Sequence, residues 1–245
     1  MEESCRQALK LGLPGIAFTD HADFARVHAH EHELDVAGYL ESVERCRAAF
    51  PALRILSGVE LGEPHRFPDQ TAAVLGAGTL DRVLGSVHCI WEGDSATDMS
   101  QFPALARTAP ARFRTYLAET LTLVSSSQPF QVLAHLDYPK RYWPHGELEF
   151  RASDFEEEIR AVLRATIARG SVLEVNTTRG MEPGRGLCPG PEVIGWWYQM
   201  GGAGISFGSD AHAPDAIAAG FGLAAEVVEA VGFRPSDDPL DFWRR

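Results

Sequence analysis

Short apolar runs alternate with segments of helical periodicity along most of the chain. Five of these runs, at 16–21, 55–60, 83–88, 132–135 and 205–212, end on a histidine or a carboxylate. Strands that alternate with helices predict a parallel sheet with right-handed crossovers. In parallel α/β barrels the working residues lie at the C-terminal ends of the strands. The pattern therefore predicts that five strands deliver polar side chains to one rim of a barrel.

Helical periodicity separates the predicted strands. The predicted helices cover about residues 2–11, 36–49, 69–77, 104–125, 153–169, 192–200 and 215–231, and a further strand covers 172–176. At the helix 153–169, Ser153 and Glu156 have the spacing of a capping box, and Gly170 is placed to end the helix. Residues 91–103 and 177–191 mix glycine with polar residues or proline without periodicity, which predicts loops.

Length and composition fit one domain. The chain has 245 residues, of which 45% are hydrophobic, and this is enough for one large core. We therefore expect a single barrel domain over residues 1–245. The four cysteines form no CxxC pair, so a zinc ribbon has little support. No apolar stretch approaches the ~20 residues that span a bilayer, and no signal peptide is visible, so a cytoplasmic location is expected.

The net charge limits the expected partners. Acidic residues outnumber basic residues by 34 to 22, which gives a net charge of −12. Nucleic acids and anionic membranes attract basic surfaces, so neither is expected as a partner. A small phosphorylated substrate is compatible with this charge, because bound metal ions can reverse its sign locally. The oligomeric state is left open.

The side chains at the predicted rim are of the types that bind divalent metal ions, namely imidazoles and carboxylates. The candidate ligands are His21, Glu60, His88, His135, Asp210 and His212. Each one alone has an ordinary explanation, such as a helix cap or an ion pair, but their coincidence at successive strand ends favours a metal site. Glu60 could bridge two ions, and such a pair can clamp both sides of a phosphoryl displacement.

Basic residues in loops near the rim are candidates for substrate binding. Arg179 could hold a phosphate in a bidentate fork, or it could simply pair with Glu182. Lys140 and Arg141, beside two aromatic residues, could line the mouth of the site. Other chemistries lack their motifs, because no GxxxxGK[ST] loop, no GxGxxG after a strand and no GxSxG elbow is present.

Six ordered segments resemble the motifs of the polymerase-and-histidinol-phosphatase (PHP) superfamily. They are 18–21 (FTDH), 57–60 (SGVE), 85–88 (GSVH), 134–137 (AHLD), 174–177 (EVNT) and 208–212 (GSDAH). The resemblance covers nearly the whole chain, and the chain length and the EVNT segment look most like the stand-alone histidinol-phosphatases. It implies a distorted (β/α)7 TIM-like barrel that holds up to three divalent ions, usually zinc, iron or manganese, and hydrolyses a phosphomonoester.

Carried over to this sequence, the resemblance implies a role for each rim residue. The implied ligands are Asp210 for the first ion, Glu60 as a bridge, His88 and His135 for the second ion, and His21 with His212 for the third. Arg179 matches the position of a phosphate-binding arginine. Independently of the family, Asp20 is a candidate for proton transfer or for the support of a ligand.

One part of the family pattern has no counterpart in this sequence. The superfamily opens with a strand bearing His-x-His, followed by another ligand a few residues later, and this segment would here precede the helix at 2–11. Without it the first ion would lose two ligands and the third ion one. A start codon assigned too late, or a trimmed chain, explains this more simply than evolved loss. His28, His30 and His32 are an alternative source of ligands, although they follow the second strand instead of the first.

The sequence thus predicts a metal-dependent phosphatase that hydrolyses L-histidinol phosphate in histidine biosynthesis. Two alternatives stay open. One is a PHP-type phosphoesterase that acts on nucleotides or nucleic-acid ends, which the net charge of −12 does not favour. The other is a non-catalytic relative that keeps the barrel as a binding or structural module, and the missing first strand is its main argument.

Overall fold

Alternating strands and helices make up the molecule, as predicted. The computed structural model describes residues 1–25, 27, 34–101, 107–182 and 184–245. The strands are β1 Gly15–Asp23, β2 Arg54–Gly62, β3 Arg82–Ser86, β4 Cys89–Glu92, β5 Ser95–Asp98, β6 Val132–Leu133, β7 Val172–Asn176, β8 Gly204–Gly208 and β9 Trp243–Arg244. The α-helices are α1 Glu2–Lys10, α2 Val36–Ala49, α3 Pro68–Gly76, α4 Ala109–Ser125, α5 Glu156–Arg169, α6 Pro191–Gln199 and α7 Phe221–Val231. None of these described helices combines the length and the apolar composition needed to cross a membrane.

A seven-stranded sheet forms the frame, in the order β1-β2-β3-β6-β7-β8-β9. The first six of these strands are parallel, and β9 runs antiparallel to β8. The sheet curls into a half-barrel, which confirms the predicted α/β class. The strands β4 and β5 form a separate antiparallel hairpin.

The register of the parallel strands brings their polar ends to one edge. His21 on β1 lies directly opposite Glu60 on β2. Because parallel strands point the same way, the segments that follow β3, β6, β7 and β8 leave the sheet at that same edge. The half-barrel therefore has the ligand-bearing rim that the sequence predicts.

Apolar packing against helices holds this frame in place. The largest core cluster includes Phe113 and Trp197, both fully buried, from α4 and α6. Every residue of β7 is buried, as expected for a parallel strand that is covered on both faces. A second cluster includes Cys5 of α1 and Val43 of α2. The rim residues are thus attached to strands whose positions the core fixes.

Residues 91–103, predicted to be a loop, contain part of a β-hairpin. Glu92 of β4 pairs with Ser95 of β5 around a two-residue turn, in which Gly93 has a φ of +61°. A glycine followed by aspartate between two short strands is typical of such a turn. The loop prediction was wrong because strands of four residues show too little alternation to be recognised.

The predicted starts of three helices were also wrong, and the helix predicted from residue 104 begins only at Ala109. A 3-10 helix, Ala152–Phe155, precedes α5, so Phe155 and not Ser153 is the N-cap residue, and no side chain caps the helix. The helix predicted from residue 215 begins only at Phe221. In contrast, Gly170 ends α5 with a φ of +78°, as the sequence predicts.

Candidate metal centre

The carboxylate of Glu60, near the end of β2, is the point on which several rim residues converge. Its Oε1 lies 2.8 Å from Nε2 of His135 and 3.1 Å from Nε2 of His88. Its Oε2 lies 4.0 Å from Nδ1 of His21. Glu60, His88 and His135 are buried. Side chains from β1, from β2 and from the segments after β3 and β6 therefore share one small space.

A second group of candidate ligands lies beside the first and shares His21 with it. Potential ligand atoms of His21, Asp210 and His212 lie within 4.8 Å of one another, as do those of His21, Glu60 and His88. The ring centroids of His21 and His212 are 5.5 Å apart. Nδ1 of His212 is 3.6 Å from Oδ1 of Asp210. The structure thus brings all six sequence-predicted ligands into one continuous cluster.

Asp23 belongs to this cluster, although the sequence analysis did not single it out. Its Oδ1 lies 3.0 Å from Nδ1 of His88, and its Oδ2 lies 3.2 Å from Nδ1 of His21. Gly62 leaves room for this carboxylate, because a Cβ atom at Gly62 would lie 2.1 Å from Oδ1 of Asp23. The signal was available in the sequence: Asp23 follows His21 by two residues on one strand, so both side chains point to the same face.

Electrostatic interactions keep two carboxylates of the cluster, those of Glu60 and Asp23, ionised. Burial alone would raise the pKa of Glu60, but the imidazoles of His21 and His135 outweigh it and hold that pKa well below its usual range. The pKa of Asp23 is lowered in the same way by His88 and His21. Ionised carboxylates are the form in which these side chains bind metal ions.

The donor atoms of the cluster fit a divalent metal ion. They are imidazole nitrogens and carboxylate oxygens, and adjustments of their side chains can bring them to the ~2.0–2.2 Å at which zinc binds such ligands. Nδ1 of His88 faces Asp23 while its Nε2 faces Glu60. A carboxylate on the far nitrogen of an imidazole is the arrangement that orients metal-binding histidines. We conclude that the cluster is a candidate metal centre.

Two arginines lie next to this centre and differ in their partners. Arg141 is buried and donates from Nη1 to Oδ2 of Asp210 at 2.9 Å. Its Nε and Nη2 meet no hydrogen-bond partner among the described residues. Arg179, with a φ of +61°, donates from Nε to Glu182 at 2.8 Å and from Nη1 to the main-chain oxygen of Arg141 at 3.3 Å. Arg141 therefore keeps donors for a ligand, whereas Arg179 forms the ion pair that the sequence left open.

Lys140 does not line the mouth of the site as predicted. It is buried, and its ammonium group lies 2.9 Å from Asp137 and contacts the main-chain oxygen of Leu187. The segment Tyr138–Tyr142 is a 3-10 helix, in which successive side chains point in directions about a third of a turn apart. Arg141 faces Asp210 for this reason, while Lys140 is turned into the protein interior.

The remaining candidates from the sequence are Asp20 and the group His28, His30 and His32. Asp20 is exposed, and the alternation of β1 places its side chain on the face opposite to that of His21. The charges of His21 and His212 nevertheless act on its carboxylate, so its role in proton transfer or in the support of a ligand stays a prediction. His28, His30 and His32 lie outside the described residues.

Known proteins resemble this chain in sequence and in fold. Residues 1–178 match the PHP domain family. A probable histidinol-phosphatase of Clostridium acetobutylicum is 26% identical over 239 residues, which cover 96% of this chain and 89% of that protein. A histidinol-phosphatase of Lactococcus lactis is 28% identical over 208 residues, which cover 84% of this chain and 76% of that protein.

The fold is similar to that of the histidinol phosphate phosphatase of Lactococcus lactis in a crystal structure complexed with zinc, L-histidinol and phosphate. The TM-score is 0.82 at 24% sequence identity, and the match covers 95% of this chain and 87% of that chain. At this level of identity the likeness establishes a shared fold.

Proposed function

Because this chain belongs to the PHP domain family, we propose that it is a metal-dependent phosphatase that hydrolyses L-histidinol phosphate. The products would be L-histidinol and phosphate, as a step of histidine biosynthesis. The observation that carries the proposal is the convergence of His88 and His135 on one oxygen of Glu60. Relatives named histidinol-phosphatase that align with most of the chain support the choice of substrate.

The proposed centre takes zinc, iron or manganese, and up to three ions. The proposed ligands are Asp210 for the first ion, Glu60 as a bridge, His88 and His135 for the second ion, and His21 with His212 for the third. Asp23 would accept a hydrogen bond from His88 and lie within ion-pair distance of His21, and so orient both rings. Zinc in the similar Lactococcus lactis structure supports this metal class.

The residues around the centre can bind and orient a phosphate group. When bound, the ions would supply a hydroxide at neutral pH and neutralise charge on the phosphoryl oxygens. Nε and Nη2 of Arg141, which have no partner among the residues that the structure describes, can donate two hydrogen bonds to phosphate oxygens in a fork. Its contact with Asp210 holds this fork beside the ligands. Arg179 can add a further donor from the neighbouring loop.

The test is phosphate release from L-histidinol phosphate by the purified, metal-loaded chain. We expect kcat/KM for this substrate to exceed that for nucleoside monophosphates by about 100-fold or more. A site that forms hydrogen bonds with one leaving group discriminates strongly against leaving groups that cannot form them. A chelator should abolish turnover, and zinc, manganese or ferrous iron should restore it.

Two other results would contradict the proposal. Equal turnover of nucleoside monophosphates would indicate a phosphoesterase of the same fold with another substrate. A metal content near zero after loading, together with no phosphate release from any of these compounds, would indicate a non-catalytic relative.

A further inference from the structure

Two buried glutamates bind the main chain of the two histidines that face Glu60. Oε1 of Glu63 accepts the main-chain N–H of His88 at 2.5 Å and that of Cys89 at 2.8 Å. Oε2 of Glu174 accepts the main-chain N–H of His135 at 2.8 Å. Both glutamates are buried, with exposures of 0% and 4%.

These hydrogen bonds occur where the main chain leaves the sheet. β3 ends at Ser86 and β6 ends at Leu133, so His88 and His135 each follow a strand by two residues. His135 has a φ of +22°, outside the range of an extended strand. A buried N–H group that is not paired with a neighbouring strand needs another hydrogen-bond acceptor, and here the carboxylates of Glu63 and Glu174 are the acceptors.

The surroundings of Glu174 are shaped to admit its side chain. A Cβ atom on Gly208 of β8 would lie 2.0 Å from Oε1 and 2.8 Å from Cδ of Glu174. Such an approach is too close for any side chain, so the carboxylate depends on glycine at this position. The amide nitrogen of Asn176 donates a further hydrogen bond to Oε2 of Glu174 at 3.2 Å.

We propose that Glu63 and Glu174 are positioning residues of the metal centre, each holding the main chain of one histidine so that both imidazoles meet at Glu60. The proposal rests on the metal-dependent function above and deepens it. Glu63 and Glu174 are in neither group of potential ligands found among the described residues. Their effect on the metal is therefore indirect, through the direction in which His88 and His135 point.

The test compares variants that keep or remove the hydrogen-bond acceptor. Glu63→Gln and Glu174→Gln keep a carbonyl oxygen that can accept the N–H, whereas Glu63→Ala and Glu174→Ala do not. Gly208→Ala leaves every ligand and both glutamates in the sequence but displaces Glu174. Gly195→Ala is the matched control, because a Cβ atom there meets no atom of the described residues within 4 Å.

Zinc affinity is measured by competition with a chelator, beside circular dichroism and the kcat and KM for L-histidinol phosphate. We expect the alanine variants and Gly208→Ala to bind zinc about 10–100-fold more weakly, the usual cost of losing a group that orients a metal ligand. The glutamine variants should stay within about threefold of the wild type. Activity lost at low zinc should return at saturating zinc with an unchanged KM.

The inference is overturned if the folded alanine variants and Gly208→Ala bind zinc as the wild type does. It is also overturned if the glutamine variants lose as much affinity as the alanine variants, because the negative charge and not the hydrogen bond would then be required. If the alanine variants at Glu63 and Glu174 do not fold, the zinc affinity of Gly208→Ala is the deciding measurement. If the wild-type chain binds no metal, the proposed function and the inference are both wrong. If all variants bind metal normally, only the inference is wrong.

Discussion

Oε1 of Glu60 lies 2.8 Å from Nε2 of His135, although 75 positions separate the two residues. Their strands β2 and β6 are not neighbours, because β3 lies between them in the sheet. The contact therefore spans two strand spacings, and the curl of the half-barrel makes it possible. The candidate centre is in this sense a product of the fold and cannot form within one βα unit.

Replacement of Glu60 by glutamine should remove the centre at little cost in volume. Glu60→Gln loses the negative charge and one of the two oxygens that would bridge the ions. We expect kcat for L-histidinol phosphate to fall by at least about 100-fold and the bound metal to decrease. Steady-state kinetics and metal analysis of the purified variant provide the measurement. Glu44→Gln on the exposed face of α2 is the control, and a Glu60→Gln variant with full metal content and normal kcat would contradict the bridging role.

The two arginines should differ in their effect on phosphate binding. Arg141→Lys loses the fork formed by Nε and Nη2, which have no partner in the described part of the chain, so we expect inhibition by inorganic phosphate to weaken by about tenfold or more. Arg179→Lys should have a smaller effect, about threefold, because Arg179 is partly exposed and already paired with Glu182. Phosphate inhibition constants for both variants test this order, and a larger effect at Arg179 would reverse the assignment.

The rim and its ligands could be predicted from the sequence because buried parallel strands appear as short apolar runs. The strand Val172–Asn176 has the predicted bounds, and so does the helix Val36–Ala49. The ligands end or follow such runs, so the runs and the strand direction were enough to predict that His21 and Glu60 lie at the same rim. Their direct pairing depends on the order and register of β1 and β2, which the local pattern does not contain.

The remaining features depend on contacts that a local pattern does not contain. A 3-10 helix determines that Arg141 faces the ligands and Lys140 does not, and the sequence pattern does not predict this helix. The roles of Glu63 and Glu174 arise from main-chain N–H groups just beyond the ends of β3 and β6, and a sequence pattern does not show which main-chain groups leave the sheet. Asp23 is different, because its spacing from His21 could have revealed it.

Gly62 should be needed for the position of Asp23. A Cβ atom at Gly62 would lie 2.1 Å from Oδ1 of Asp23, so Gly62→Ala must displace that carboxylate from His88 and His21. We expect zinc affinity to fall about tenfold or more, as with Asp23→Asn. Chelator competition measures both variants. Gly76→Ala in α3 is the control, because no atom in the described part of the chain would lie within 4 Å of a Cβ atom there. Unchanged affinity in both test variants would show that Asp23 does not orient the ligands.

The stability of the metal-free protein should depend on pH through His21. The charge of Glu60 raises the pKa of His21 to about 9, against the effect of burial. A raised pKa in the folded state means that the protonated form stabilises the fold. This contribution is complete below about pH 6.5 and is lost as the pH rises through about 9. The His21 side chain is 35% exposed, and solvent screening therefore reduces its contribution to the free energy of unfolding to about 1–2 kcal/mol.

Zinc should reverse this dependence, because it requires the neutral imidazole and therefore competes with the proton on His21. The apparent zinc affinity should rise between pH 6.5 and 9, while the free energy of unfolding of the chelator-treated protein falls. Urea unfolding at several pH values, with and without zinc, measures both trends. In His21→Asn the fall in metal-free stability should become shallower, because one of the titrating imidazoles is gone. If the wild type and His21→Asn show the same pH profile without zinc, the charge pair between His21 and Glu60 does not control stability.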